Sequence, residues 1–255
     1  MGRHLSIGLV CALAACASPA RRAPPPVVSA TAAELLATVR AREAQLYSLR
    51  AHFTVVAEHA DEHQQLNGVI VAARPDRARM RLMLPLGLTV FDYLRVGRDA
   101  WVARPLGPAE APDGPSSALP LSAIALPLVS DPAGCAADCS RADPDPIGFW
   151  VRCYCVDPAQ PDRLFPARFL LIRSADAAIV EERRFAQGHP SATIRSNDYR
   201  LTDGVLLPFR LTMSYAGDAR LSVTVAIDRY DVNPPLADEL FLPAPDSRPV
   251  PLPAS

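Results

Sequence analysis

Arg77-Ala78-Arg79-Met80-Arg81-Leu82-Met83-Leu84 is the stretch whose period settles the architecture. In an extended chain it puts Ala78, Met80, Leu82 and Leu84 on one side and Arg77, Arg79 and Arg81 on the other. Strict alternation of this kind marks a half-buried antiparallel strand with one apolar face and one wet face. The neighbouring runs follow the same rule. Upstream, Phe53, Val55 and Ala57 alternate with polar residues, and Leu66, Gly68, Ile70 and Ala72 form a second set. Downstream, Leu88, Val90, Leu94 and Val96 share one side of a fourth run, and a short fifth run carries Trp101. Short turns join consecutive runs, so this part of the chain is a meander.

The period changes on either side of the meander. Thr31-Ala32-Ala33-Glu34 reads as a capping box, and Leu35, Val39, Arg42 and Leu46 behind it fall on one helical stripe. Between residues 117 and 129, Leu119, Leu121, Ile124 and Leu126 form an apolar segment interrupted by Pro120 and Pro127, suited to a lid. Strands resume at Phe149. Two long runs end the pattern, one with Leu207, Phe209, Leu211, Met213 and Tyr215 on its apolar side, the other with Leu221, Val223, Val225 and Ile227. The expected fold is mainly β (α+β): a single large curved antiparallel sheet, or open half-barrel, of about eleven strands, with an N-terminal helix and a central apolar lid segment. Residues 31–243 form this one domain, and residues 244–255 read as a disordered tail.

The N-terminus carries Arg3 and His4, then an apolar run from Leu5 to Leu13, too short to span a bilayer. Leu13-Ala14-Ala15-Cys16 at its end resembles the bacterial lipobox. That resemblance implies a signal peptide over 1–15, a lipidated Cys16 at the mature N-terminus, and a Pro-rich tether over 16–30. Several acyl chains, palmitate among them, anchor almost irreversibly, because each buried CH₂ contributes about 0.8 kcal/mol. Ala17, not Asp, follows the cysteine, which by the same family rule sorts the chain to the periplasmic face of the outer membrane.

Further motifs point the same way. Pro75-Asp76-Arg77-Ala78-Arg79-Met80-Arg81-Leu82, the turn Leu84-Pro85-Leu86-Gly87, Tyr199-Arg200…Gly204…Leu207-Pro208-Phe209-Arg210 and Val232-Asn233-Pro234-Pro235 are similar to the LolA/LolB family of lipoprotein-sorting proteins. The resemblance implies a half-barrel whose apolar interior holds acyl chains of lipid or lipoprotein without any reaction or cofactor. The lining it implies is Phe53, Val55, Ile70, Met80, Leu82, Leu84 and Val90 from the first half. Leu94, Trp101, Phe209, Leu211, Met213, Val223 and Val225 complete it. It also implies a membrane-contact loop at Leu86 and Leu88, a LolA-like periplasmic carrier as partner, and a monomer. The alternative is a structural or sensing lipoprotein of the same fold, its cavity filled by its own side chains, that binds a partner protein.

Other chemistry is weakly marked. The formal net charge of −1 leaves no nucleic-acid footprint, and all 26 basic residues are arginine. No G-x-S-x-G, Walker or G-x-G-x-x-G pattern occurs. Glu58-His59-Ala60-Asp61-Glu62-His63 concentrates metal-capable groups but reads as a solvated hairpin turn, so no metal is expected. Asp92 breaks an apolar strand face and is either a polar handle for a lipid head group or, more commonly for such a residue, a solvated edge position. Of the cysteines left after Cys16, Cys135, Cys139, Cys153 and Cys155 suit disulfides in an oxidising compartment better than a zinc site. Cys153 and Cys155 share a strand face, and Asp143-Pro144-Asp145-Pro146 reverses the chain before them. That reversal predicts nested bridges, Cys135–Cys155 and Cys139–Cys153. Cys16→Ser is expected to abolish palmitate labelling and membrane attachment, since a hydroxyl does not accept the lipid; metabolic labelling checks it.

Overall fold

The structure, a computed structural model, describes residues 31–59, 62–103, 138–157, 160–186, 188–216 and 218–250. Its helix, α1 (Ala32–Glu43), begins as the capping box requires: the Glu34 N–H donates to Thr31 Oγ1 at 3.3 Å and the Thr31 N–H donates to the Glu34 carboxylate at 2.8 Å. The strands that follow are β1 (Ser48–His59), β2 (Glu62–Ala73), β3 (Arg77–Met83), β4 (Thr89–Val96) and β5 (Asp99–Ala103). After these come β6 (Asp138–Asp145), β7 (Gly148–Asp157), β8 (Gln160–Arg173) and β9 (Ile179–Ala186). The last are β10 (His189–Thr202), β11 (Val205–Tyr215), β12 (Asp218–Val232) and β13 (Arg248–Pro249). All thirteen belong to one antiparallel sheet, ordered β13-β5-β4-β3-β2-β1-β12-β11-β10-β9-β8-β7-β6, which does not close on itself.

Two strands exceed the expected count. β6 runs through Asp143-Pro144-Asp145, where a turn was expected, because it lies at the sheet edge and Pro144 there forfeits no ladder hydrogen bond. β13 falls in the segment expected to be disordered beyond Pro243. Arg248 and Pro249 pair with Val102 and Trp101, and the Val250 N–H donates to the Ala100 carbonyl at 2.9 Å.

β1 is the spine. It pairs with β2 on one side and β12 on the other over nearly its whole length. The central apolar cluster spreads from it: Phe53 and Val55 of β1, Ile70 of β2, Met80 and Leu82 of β3, Leu211 and Met213 of β11, Val223 and Val225 of β12, all on one face as the alternation predicts. Gly68 stands opposite Phe53, and a Cβ there would come within 2.1 Å of the Phe53 ring. The missing side chain is what lets the ring lie across β2. Asn233 fastens the other end of the spine. Its backbone takes a φ of +54°, its side chain accepts from the N–H groups of Tyr47 (2.9 Å) and Ser48 (3.3 Å), and its Nδ2 donates to the Gln45 carbonyl (2.9 Å). This is the physical content of Val232-Asn233-Pro234-Pro235: an Asn tolerates the left-handed backbone and satisfies a corner at once.

α1 buries Ala32, Leu35, Leu36 and Val39 against Val151 and Cys153 of β7 and Leu170 and Ile172 of β8. It therefore covers the β6–β8 wing of the sheet. At the opposite wing the outer face is buried too. Val71, Ala73 and Leu94 pack under Phe241 of a 3₁₀ turn, Asp238–Phe241, with Trp101 against the same cluster. Leu94 and Trp101 are thus not part of the half-barrel lining. Strand β4 pairs Leu82 with Phe91 and Arg79 with Leu94 after a bulge at Leu82/Met83, and the extra residue turns Leu94 outward while Val90 stays with the lining.

Nor is the arginine side of β3 uniformly wet. Arg79 is buried and holds Asp92 with two hydrogen bonds, Nε to Oδ1 at 2.9 Å and Nη2 to Oδ2 at 2.6 Å. Its Nη1 donates to the carbonyls of Leu240 and Leu242, both at 3.1 Å, and Arg81 reaches Asp92 from the solvent side at 3.1 Å. Asp92 is thus neither a lipid handle nor a solvated edge residue; it is the buried centre of a fork that clamps the C-terminal segment. Asp92→Ala strands Arg79 without its counter-charge and is expected to destabilise by about 3–5 kcal/mol. Arg81→Ala, which removes only the half-exposed partner, is expected to stay within about 1 kcal/mol; urea midpoints of the two variants check the contrast.

Candidate functional site

The half-barrel face is packed most tightly at its middle. Met80, Met213 and Val225 are 0 % exposed, with Phe53 and Leu211 at 1 %. Leu84, Val90, Phe91 and Phe209 are partly buried against this cluster. Leu84, Val90 and Phe91 lead out of the core to the β3–β4 hairpin. There Leu84 accepts from the Gly87 N–H at 2.8 Å, Pro85 occupies the corner, and Gly87 takes a φ of +84° that a side chain would strain. The turn leaves Leu86 89 % exposed and Leu88 52 % exposed, so the expected contact loop is an apolar tip in water. The lid residues Leu119, Leu121, Ile124 and Leu126 and the lipidation site Cys16 lie outside the described residues.

Cys139 and Cys153 form the expected bridge, tying β6 to β7. Cys155 is also disulfide-bonded; its expected partner Cys135 lies outside the described residues. Glu58 and His63 approach to 3.8 Å on an exposed hairpin, and no group of three or more metal-capable side chains converges among the described residues.

A feature the sequence did not announce lies where the two apolar clusters meet. A cavity of about 60 Å³ separates the C-terminal end of α1 from β9–β12. Leu46, Leu49, Ile194 and Leu207 give it an apolar wall, and Arg42, Glu43, Glu182, Ser196 and Tyr199 give it a polar one. Arg42 is held by donating to the Asp176 carbonyl at 3.3 Å, and Arg74 donates to the Glu43 carbonyl at 2.7 Å at the helix end. Burial pushes the Glu43 carboxyl up, opposed by Arg42, Arg168, Arg74 and Arg40 around it. β9 reads Ile-Val-Glu-Glu-Arg-Arg-Phe-Ala, with no apolar alternation to flag which side faces inward. Only the ladder, pairing Glu182 with Leu170 on one side and Ile194 on the other, puts that carboxylate in the core row.

An open antiparallel sheet of this order, with a helix over one wing and an apolar interior face, defines the LolA-like half-barrel class. The chain shares that fold with a LolA superfamily protein from Nitrosomonas europaea, at a TM-score of 0.60 and 12% identity over 84% of this chain and 99% of that one. It is likewise similar to a putative outer membrane lipoprotein-sorting protein domain from Vibrio parahaemolyticus (TM-score 0.59, 12% identity, 82% and 97% covered). A DUF1329 family protein from Desulfovibrio piger superposes at a TM-score of 0.60 with 9% identity, covering 82% and 96%. No protein-family model and no curated protein sequence matches the chain.

The phenols at this site make an alkaline test. Tyr199 donates to the Ile179 carbonyl and Tyr230 to the Pro208 carbonyl at 2.8 Å, so each is used as a neutral donor. Burial pushes the Tyr199 phenol up to about 12 and raises Tyr230 as well. An unfolded tyrosine ionises near pH 10. Stability is therefore full below about pH 10 and falls as pH rises from there toward 12, where the unfolded chain releases protons that the folded one keeps. The chain has no lysine to titrate in the same window. Tyr199→Phe is expected to shallow the decline, measured as urea midpoint against pH.

Proposed function

We propose that this chain is an envelope lipoprotein that binds acyl chains of lipid or lipoprotein in its half-barrel, as a LolB-like acceptor anchored through Cys16 at the periplasmic face of the outer membrane. The observation that carries the reading is the apolar track from the exposed tip into the core. Leu86 and Leu88 stand in water, Leu84, Val90 and Phe91 are half-covered behind them, and Leu82 and Met80 are fully buried beyond. What sets this leucine tip apart from other exposed apolar residues is its continuity with the track behind it, which suits contact with a membrane or an alkyl chain. Binding along such a track is driven by desolvation and needs neither cofactor nor reaction. The fold shared with a putative lipoprotein-sorting domain supports the same reading; the proposal further takes a LolA-like periplasmic carrier as the delivering partner and the domain as a monomer.

One observation favours the second reading, a module of the same fold that binds a partner protein. The 0 % exposure of Met80, Met213 and Val225 means that the middle of the barrel is filled by its own side chains. Acyl chains then have the track and the barrel mouth to occupy, not an empty bore. Leu86→Glu separates the two readings. The fold should be unaffected, since Leu86 is 89 % exposed, while binding of the soluble domain to phospholipid vesicles should weaken at least about tenfold. Vesicle binding that does not change, with an unchanged melting temperature, leaves the partner-binding module.

A further inference from the structure

Glu182 is the residue the apolar reading does not explain. It occupies a core position in β9, between Leu170 and Ile194 on the neighbouring strands, and is 2 % exposed. One oxygen is satisfied: Oε1 accepts from Arg184 Nε at 2.9 Å. The other, Oε2, is buried with no hydrogen-bond partner among the described residues. Native proteins rarely leave such an atom bare, because the desolvation of a carboxylate oxygen is then uncompensated. Glu182 also lines the cavity of about 60 Å³ beneath the end of α1. That is several times the space one water requires, with Leu46, Leu207 and Arg42 also among its lining residues.

We propose that this cavity takes the primary-ammonium head group of an amphiphile, with the ammonium donating to Glu182 Oε2 and the alkyl chain lying on the apolar wall. An ionised carboxylate only accepts, and an ammonium brings both the donor and the opposite charge. The Arg42 guanidinium in the same lining suits the phosphate of a zwitterionic phosphoethanolamine. A trimethylammonium carries the same charge but has no N–H, so the site discriminates ethanolamine from choline head groups. This assignment rests on the acyl-chain reading above, and two lysophospholipids of identical chain separate the claims.

The soluble domain is titrated with lyso-phosphatidylethanolamine and lyso-phosphatidylcholine below their micellar concentrations. The expected result is roughly tenfold tighter binding of the ethanolamine lipid. Glu182→Gln should erase that preference, because the amide can present a donor where the ammonium needs an acceptor, while choline-lipid affinity, which gains from the carboxylate's charge but not from an N–H bond, falls less. Leu46→Phe, which adds bulk at another lining residue and keeps the carboxylate, should erase it as well and stands in if Glu182→Gln does not fold. Equal affinity for both lipids in the wild type overturns the head-group site and leaves acyl-chain binding intact. A preference that survives in both variants places recognition elsewhere and overturns it too. Binding of neither lipid overturns both this assignment and the acyl-chain reading.

Discussion

Phe53 lies across the gap that Gly68 leaves in β2, and the rest of the half-barrel depends on that contact. Among the described residues, a single sheet of thirteen strands that does not close has no second sheet to pack against. Its inner face must be buried by its own curvature and its own large side chains. The ring of Phe53 does this at the spine of the sheet, where β1 meets β2 and β12, and the rows of Ile70 and Met80 on one side and Val225 and Leu211 on the other continue the same layer. Desolvation of this layer is the main favourable term holding the sheet together.

The two wings of the sheet are finished differently. At one wing α1 covers β7 and β8, with a disulfide between β6 and β7 beside it. At the other, the C-terminal segment crosses the outer face of β3 and β4 and is held there by Arg79, which binds Asp92 and two carbonyls of the segment at once. Arg77 adds a contact over the Phe241 ring at 4.7 Å. Both wings are thereby anchored, and the hairpin tip with Leu86 and the cavity under the end of α1 are two places, among the described residues, where apolar surface meets solvent or an incomplete core.

Much of this was legible in the residues. The alternation in β1, β2, β3, β11 and β12 gave the register of the central face residue by residue, because a side chain's face in a strand is fixed by parity. The capping box marked the start of α1, and Pro85 with Gly87 marked the tip that exposes Leu86. Parity failed where a bulge or a second layer intervened. The extra residue at the β3–β4 bulge sent Leu94 outward, and Trp101 followed it because it pairs with Leu94. Arg79 read as solvated because an arginine on an alternating strand ordinarily is; its burial needs a segment more than a hundred and fifty residues away, as the 161-residue separation to Leu240 shows.

What the sequence determined by itself is local: which stretches are strands, which side of each is apolar, where the helix starts and where the turns fall, since these follow from periodicity and backbone preference within a few residues. What only the tertiary structure decided is which partner each side chain meets. The ladder placed Glu182 between Leu170 and Ile194, and the C-terminal strap turned Asp92 from a strand defect into the centre of an ion-pair fork. Both outcomes are set by contacts between residues far apart in the chain, and a charge is bound or bare only according to what long-range packing brings beside it.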